Sequence, residues 1–533
     1  MRLIAGLALC LALPIGLSPP ASAEILTILH TNDIHSRIEP VSRFNVTCSR
    51  AEQNEGVCFG GAARLKALID TIRAEVPDLL LLDGGDQFQG SLMYTRYQGQ
   101  AAAEVMNAIG YDAMTVGNHE FDDGPEVLRA FIDRITFPIL MSNADISGDP
   151  HLAGVIQPSI VITRGEHRYG IIGLTPEDTH QSSSPGPHVH FHDAAAAVRA
   201  QIEGFSAQGI DRIIVLSHSG YRRDMEIAAQ VDGIDIIVGG HSHSLLSDEI
   251  DGAAGPYPTW VETPSGGRTA IVQAYAYGRY LGRLDVRFDP GGVVTAARGG
   301  PIPLTTEMPE DPALAARVAT LAEPLERERE MVVAHVGSYI GADHSACRRA
   351  ECTLGNLVAD AMLDARRRFG AQIAIMNGGG LRAPINAGEV TRGDILQLLP
   401  FQNTLAEFWM TGADIRAALE HGVSAVEDSH GRFPQVAGLR YAYDPSVAPG
   451  QGRIRDVEVF ANGRWQPLDG AQTYQVVTND FLRQGGDGYA VFAERAEKPY
   501  DFNGQLSDIL EEYLFRRRGY QAYTDGRIEI VSP

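Results

Sequence analysis

Short apolar runs along this chain stop abruptly in polar or glycine-containing turns. Residues 25–29 lead into His30-Thr31-Asn32-Asp33-Ile34-His35, residues 79–82 into Asp83-Gly84-Gly85-Asp86, and residues 113–116 into Gly117-Asn118-His119-Glu120. The pattern repeats where residues 213–216 meet Ser217-His218 and where residues 234–238 meet Gly239-Gly240-His241-Ser242-His243. Runs of this length, rich in Ile, Leu and Val, predict buried strands that end in loops. Between them, residues 62–74 and 194–205 carry helical periodicity. Strands alternating with helices up to about residue 290 imply a layered α/β domain.

The polar residues at the strand ends change the picture. Taken singly, each segment reads as a turn, since Asn, Asp and Gly are ordinary turn formers. In series they place Asp33, His35, Asp86, Asn118, His218, His241 and His243 at strand ends, where loops of a layered sheet converge. Such a set suits two divalent ions bridged by one carboxylate. Asp86 is the candidate bridge, with Asp33, His35 and His243 completing one ion's ligands and Asn118, His218 and His241 the other's. Mixed imidazole, carboxylate and amide ligation fits zinc or manganese better than calcium. His119 follows a ligand without being one, and Asp122 stands where it could orient the imidazole, so the pair is the expected acid or transition-state stabiliser.

The second half is organised differently. Asp289-Pro290-Gly291-Gly292 marks a turn, and residues 312–331 predict one charged helix with Leu314, Val318, Leu321 and Leu325 in its apolar stripe. This helix is expected to link two domains, 24–305 and 332–533, across a linker at 306–331. Beyond it, residues 354–369 predict a helix, and residues 373–376, 405–410, 439–443, 457–460 and 474–478 predict strands of a mixed α/β domain. His188, His190 and His192 would share one face of a strand, but they follow a loop-like stretch, and the two-ion set is complete without them. None of the Gly-rich segments has the spacing of a dinucleotide fingerprint.

Length and composition set limits. A chain of 533 residues exceeds one hydrophobic core. Its 44% hydrophobic and 21% charged residues are ordinary for a folded protein, and a formal charge of −23 argues against a partner that is a nucleic acid polymer. Met1-Arg2, the apolar stretch 3–17 and Ala21-Ser22-Ala23 form the pattern of a secretory leader cleaved near Ala23, which implies a secreted or periplasmic mature chain. No later stretch has the length of a transmembrane helix. Beyond Cys10, four cysteines remain: Cys48, Cys58, Cys347 and Cys352. In an exported chain they suggest disulfides, locally paired, although three pairings are possible and a zinc cluster is the rival.

These motifs, together with Asn377-Gly378-Gly379-Gly380-Leu381-Arg382, Leu399-Pro400-Phe401, Asn479-Asp480-Phe481 and Gly485-Gly486-Asp487-Gly488-Tyr489, resemble the exported 5′-nucleotidase family of calcineurin-like metallophosphoesterases. The resemblance implies an N-terminal four-layered α/β/β/α metallophosphatase domain, a linking helix and a C-terminal mixed α/β domain that binds the nucleoside and rotates on substrate. It implies that Phe401 and Phe481 sandwich the base and Asp487 holds the ribose hydroxyls. Arg348 and Arg382 would contact phosphate and ribose, with Asn377, Gly379 and Gly380 beside the sugar. Without the resemblance, the two rings read as core packing, Arg348 as a surface ion pair and Asp487 as a turn former. The expected reaction is hydrolysis of nucleoside 5′-monophosphates. UDP-sugars, 2′,3′-cyclic nucleotides, dinucleotide pyrophosphates, sulfur-oxidation chemistry and a catalytically silent nucleotide binder are the alternatives.

Overall fold

The computed structural model describes residues 24–531 apart from Phe44, Val46, Ser49, Ala342, Asp343, Gln402 and Phe502; the leader pattern lies outside the described residues. Two six-stranded sheets form the N-terminal half. In spatial order the first contains Val294–Pro303, Tyr280–Phe288, Glu24–Thr31, Leu80–Asp83, Ala113–Thr115 and Ile139–Leu140. The second contains Thr259–Glu262, Arg268–Val272, Ile236–Val238, Arg212–Ser217, His167–Leu174 and Ser159–Arg164. The second sheet has a parallel centre and two antiparallel edges, whereas the first is antiparallel only at Tyr280–Phe288 and Val294–Pro303 and parallel from Glu24–Thr31 to Ile139–Leu140.

Alternation along the strands dictates the layering. Leu26, Ile28, Leu80 and Leu82 point from the first sheet toward Ile171, Ile214, Leu216, Ile236 and Val238 of the second. Their neighbours Leu29 and Leu81 face the helical layer on the other side, and Ile213, Val215 and Ile237 face an opposite helical layer that includes Ala194–Ser206 and Tyr221–Ala228. Four layers result, α/β/β/α. Each fully buried Leu or Ile adds about 1.5–3 kcal/mol, so both faces of both sheets are committed. Register aligns the strand ends: Thr31 lies beside Asp83, and Val238 beside Leu216. The turns that follow therefore leave at one edge.

The helix Pro312–Arg329 starts with Pro at its first position, and the side chain of Asp311 accepts a hydrogen bond from the Leu314 amide, the usual N-terminal arrangement. Its stripe of Leu314, Val318, Leu321 and Leu325 packs into the first helical layer. Its far end meets the second half, where Gly393 abuts the Arg329 backbone. That half has a five-stranded sheet, Pro434–Ala437, Ile373–Asn377, Thr473–Asn479, Leu405–Thr411 and Glu497–Tyr500, with Thr353–Arg367 and Leu506–Arg516 on one face. A four-stranded sheet and the helix Gly412–Gly422 cover the other. Disulfides join Cys48 to Cys58 and Cys347 to Cys352.

Candidate active site

All seven expected ligands meet at the common strand edge, and their backbones are unusual. Asp33, His35, Asp86, His241 and His243 have φ of 53°, 52°, 58°, 69° and 50°. Left-handed non-glycine residues cost on the order of 1–3 kcal/mol each and persist where the surroundings over-determine them. Asp and His tolerate the region better than most side chains. A methyl group at Gly117 would stand 2.1 Å from the Asp86 carboxylate, so only glycine lets that carboxylate reach the centre.

Hydrogen bonding leaves lone pairs facing one another. His218 donates through Nδ1 to the Gly84 carbonyl, and its buried Nε2 lies 2.9 Å from Asp86 Oδ2. His35 Nδ1 meets the Phe88 carbonyl at 3.1 Å, which turns its Nε2 toward His243 Nε2 at 3.1 Å and Asp86 Oδ2 at 3.9 Å. His243 Nε2 is 3.4 Å from Asp33 Oδ1, and His241 Nδ1 is 3.0 Å from Asn118 Oδ1. A backbone carbonyl that fixes the tautomer and aims the other nitrogen inward is the usual support for a metal-ligating histidine. Ligand atoms of Asp33, His35 and His243, and of Asp86, His218 and His241, lie within 4.8 Å of one another in each group. The donor set fits divalent ions.

The electrostatic surroundings point the same way. Burial pulls His35 and His243 below the ordinary imidazole range and lowers His241 to about 4. At His218 burial also lowers, but the Asp86 and Asp33 carboxylates outweigh it and raise the group to about 10. Burial would raise Asp86, but His218 and His119 draw it well below the carboxylate range. Positive charge is demanded where these groups converge.

His119 Nδ1 lies 2.7 Å from Asp122 Oδ2, and Asp122 accepts a second hydrogen bond from Ser183 Oγ at 2.7 Å. Burial lowers His119, but Asp122 and Asp86 more than compensate and raise it to about 9. Its other ring nitrogen is left for the cavity. The Phe401 ring, from the C-terminal half, stacks on this imidazole at 5.6 Å between centroids and 16° between planes.

A cavity of about 1260 Å³ lies between the halves, lined by Asp86, Asn118, His119, His241 and His243 on one side. Arg348, Asn377, Gly379, Gly380, Arg382, Phe401, Phe481 and Asp487 line the other. Burial and the nearby Arg382 lower Arg348 to about 10, and the buried Nε atoms of both arginines lack partners. Two guanidinium groups this close call for an anion between them. Asn377 donates to Asp487 Oδ2 at 2.7 Å, and Asn479 donates to Asn377 Oδ1 at 2.9 Å. Asp487 is left-handed, with φ 54°, and a methyl at Gly486 would meet the Phe481 ring at 2.5 Å.

Some lining residues carried no sequence signal. Tyr277, with φ 62°, packs its ring 5.2 Å from His243, and His430 closes the cavity from the C-terminal half. Glu120, inside the run already noted at 117–120, is buried beneath the ligand turns. His190 lies in a two-residue strand paired with Ala144–Asp145, and among the described residues His188, His190 and His192 join no candidate metal cluster.

Comparison with known proteins agrees with this geometry. The calcineurin-like phosphoesterase family matches residues 26–245, and the 5′-nucleotidase C-terminal domain matches residues 332–494. A 5′-nucleotidase of Bos taurus is 36% identical over 97% of this chain and 93% of its own length. The snake venom 5′-nucleotidase of Naja atra is 37% identical over 94% of this chain and 98% of its own. The crystal structure of a 5′-nucleotidase precursor from Thermus thermophilus, 39% identical, superimposes with a TM-score of 0.90 over 96% of this chain and 100% of that one.

Proposed function

The chain belongs to the 5′-nucleotidase family and is a phosphoester hydrolase, and from that premise we propose that it cleaves nucleoside 5′-monophosphates to nucleoside and phosphate. Asp33, His35, Asp86 and His243 would hold one divalent ion, and Asp86, Asn118, His218 and His241 the other, with zinc or manganese the best fit to the donors. A divalent pair in such a seat supplies an acidified water and neutralises charge on phosphate oxygens. The chain's own groups do the rest. Arg348 and Arg382 orient the phosphate. His119, its Nδ1 held by Asp122, presents the other nitrogen to the leaving oxygen or an equatorial oxygen and holds a proton there. Phe401 and Phe481 take the base, Asp487 takes ribose hydroxyls, and Asn377 with the Gly379 and Gly380 backbone flanks the sugar.

The observation that carries this reading is one cavity with the candidate ligand side chains on one wall and aromatic, guanidinium and carboxylate groups on the other. A nucleotide spans such a space phosphate-first. With its walls on the two halves of the chain, 24–305 and 332–533, entry and release require them to part about the linker at 306–331. The reading extends to location. The leader pattern and a venom relative support a mature chain secreted or periplasmic after cleavage near Ala23, and no helix among the described residues is long and apolar enough to cross a membrane.

The test is phosphate release from AMP, UMP, ATP, UDP-glucose, cyclic AMP and NAD by mature protein reconstituted with Zn²⁺ or Mn²⁺, beside an Asp86→Ala control. Fast release from AMP with an inactive control is expected. Release from another member of the panel but not from AMP would reassign the substrate.

A further inference from the structure

Glu120 is fully buried in the turn that carries Asn118 and His119, and the chemistry above leaves it without a role. Its carboxylate accepts four backbone N–H groups. Oε1 receives Gln87 at 2.7 Å and Phe88 at 3.1 Å, and Oε2 receives Asp86 at 3.0 Å and Gly117 at 2.6 Å. Three donors are consecutive, and the left-handed backbone at Asp86 curls them toward one point. Successive N–H groups arranged in this way make a concavity for an anion. Here the anion is supplied by the chain itself, from more than thirty residues away in sequence.

The lacing continues beyond that nest. Asp33 N–H donates to the Gly85 carbonyl at 2.9 Å, His35 N–H to Asp86 at 2.9 Å and Ser36 N–H to Gln87 at 2.8 Å. The turn with Asp33 and His35 is thus bound to the turn with Asp86, and that turn is bound to Glu120. On the other side, His119 N–H donates to Asp86 Oδ1 at 3.0 Å. One carboxylate sits where three ligand-bearing turns join.

We infer that Glu120 is a positioning residue whose carboxylate sets the spacing of the turns that carry Asp33, His35, Asp86 and Asn118, and thereby the affinity for the divalent pair. The inference rests on the reading of those side chains as ligands. Charge and acceptor number both matter. Glutamine at this position keeps the size, but its amide NH₂ would confront two N–H donors, and buried donors facing a donor go unsatisfied. The turns would then shift. Partners that orient metal ligands typically cost 10–100-fold in metal affinity when altered.

The experiment compares the wild-type full chain with Glu120→Gln. Each is stripped with chelator, titrated with Mn²⁺ by calorimetry, and assayed for kcat across Mn²⁺ concentration. Expected is a natively folded variant that binds Mn²⁺ about 10–100-fold more weakly and regains kcat as Mn²⁺ is raised. A folded variant with wild-type Mn²⁺ affinity overturns the inference and leaves the ligand reading standing. A wild-type chain that binds neither Mn²⁺ nor, in a parallel titration, Zn²⁺ overturns both. Should the variant not fold, hydrogen exchange on the wild-type chain decides. Protected amides at Asp86, Gln87, Phe88 and Gly117 before Mn²⁺ is added support a preformed clamp, and loop-like exchange there overturns it.

Discussion

Removing the two cavity phenylalanines should have unequal effects, and the difference can be worked out from their neighbours. Phe481 lies over Gly486 and away from the proposed chemistry, so Phe481→Ala forfeits one face of a base stack. Such a stack is worth about 1–3 kcal/mol, or about 5- to 150-fold in KM for AMP with kcat held. Phe401 has a second duty, because it packs against the His119 imidazole at 5.6 Å. A stacked ring pair adds about 0.5–1.5 kcal/mol beyond burial. Phe401→Ala should therefore raise KM comparably and also lower kcat about 2- to 10-fold, as His119 loses the ring that limits its rotamers. Initial rates on AMP and on p-nitrophenyl phosphate, which has no base, separate the two effects. Phe401→Ala should slow both substrates, and Phe481→Ala should impair AMP alone. Equal KM increases with kcat intact in both variants would refute the coupling of Phe401 to His119, and unchanged KM in both would discard the base sandwich.

Three further outcomes follow from other parts of the molecule. Asp487→Ala should raise KM for AMP at least tenfold and leave p-nitrophenyl phosphate hydrolysis within about twofold, since its partner Asn377 lies on the nucleoside side; a parallel loss on both substrates would remove Asp487 from ribose binding. Chelation should lower the thermal midpoint and abolish turnover, with both restored by Zn²⁺ or Mn²⁺, because ions that bind only the native state stabilise it by mass action; a midpoint indifferent to chelator would count against the proposed seat. Asp235 is raised by burial from its ordinary 3.8 to about 7. The folded chain thus holds that proton more tightly than the unfolded chain does, and stability declines as pH rises from 3.8 toward 7 and stays lower above it. Asp235→Asn keeps an acceptor for the Ile213 amide, so it should raise the urea midpoint at pH 8 and match wild type near pH 4; the same gain at both pH values would contradict this account.

The layered α/β order was legible because the ligand-bearing strands are short apolar runs that end near their ligands, whereas the pairing of two sheets was implied by the family resemblance alone. Strands without such an end, Ser159–Arg164 and Thr259–Glu262 among them, offered no comparable landmark. The helix Pro312–Arg329 was legible from its stripe, but a periodicity names only a buried face and not what covers it, and its apolar side turned out to pack into the first helical layer. The stacking of Phe401 on His119 joins residues 282 positions apart across two halves of the chain, beyond the reach of any local pattern. Glu120 stayed silent for a different reason. A glutamate in a polar turn ordinarily faces water, and only three-dimensional convergence of backbone amides explains why this one does not.

That every ligand leaves from one edge of the sandwich makes the opposite edge available for handling the protein. The hairpin between Ser159–Arg164 and His167–Leu174 turns there at Gly165 and Glu166, and beyond its chain neighbours nothing lies within 4 Å of where a Gly165 side chain would begin. Its inner strand ends at Leu174, whose carbonyl accepts from the His218 amide, so the turn stands about 26 Å from Leu174 at a strand rise of about 3.3 Å per residue. A tag, a surface tether or a fluorescent domain spliced into that turn would sit at the far end of a stiff rod. Immobilised this way, the molecule would present its cleft outward and leave both halves free to part.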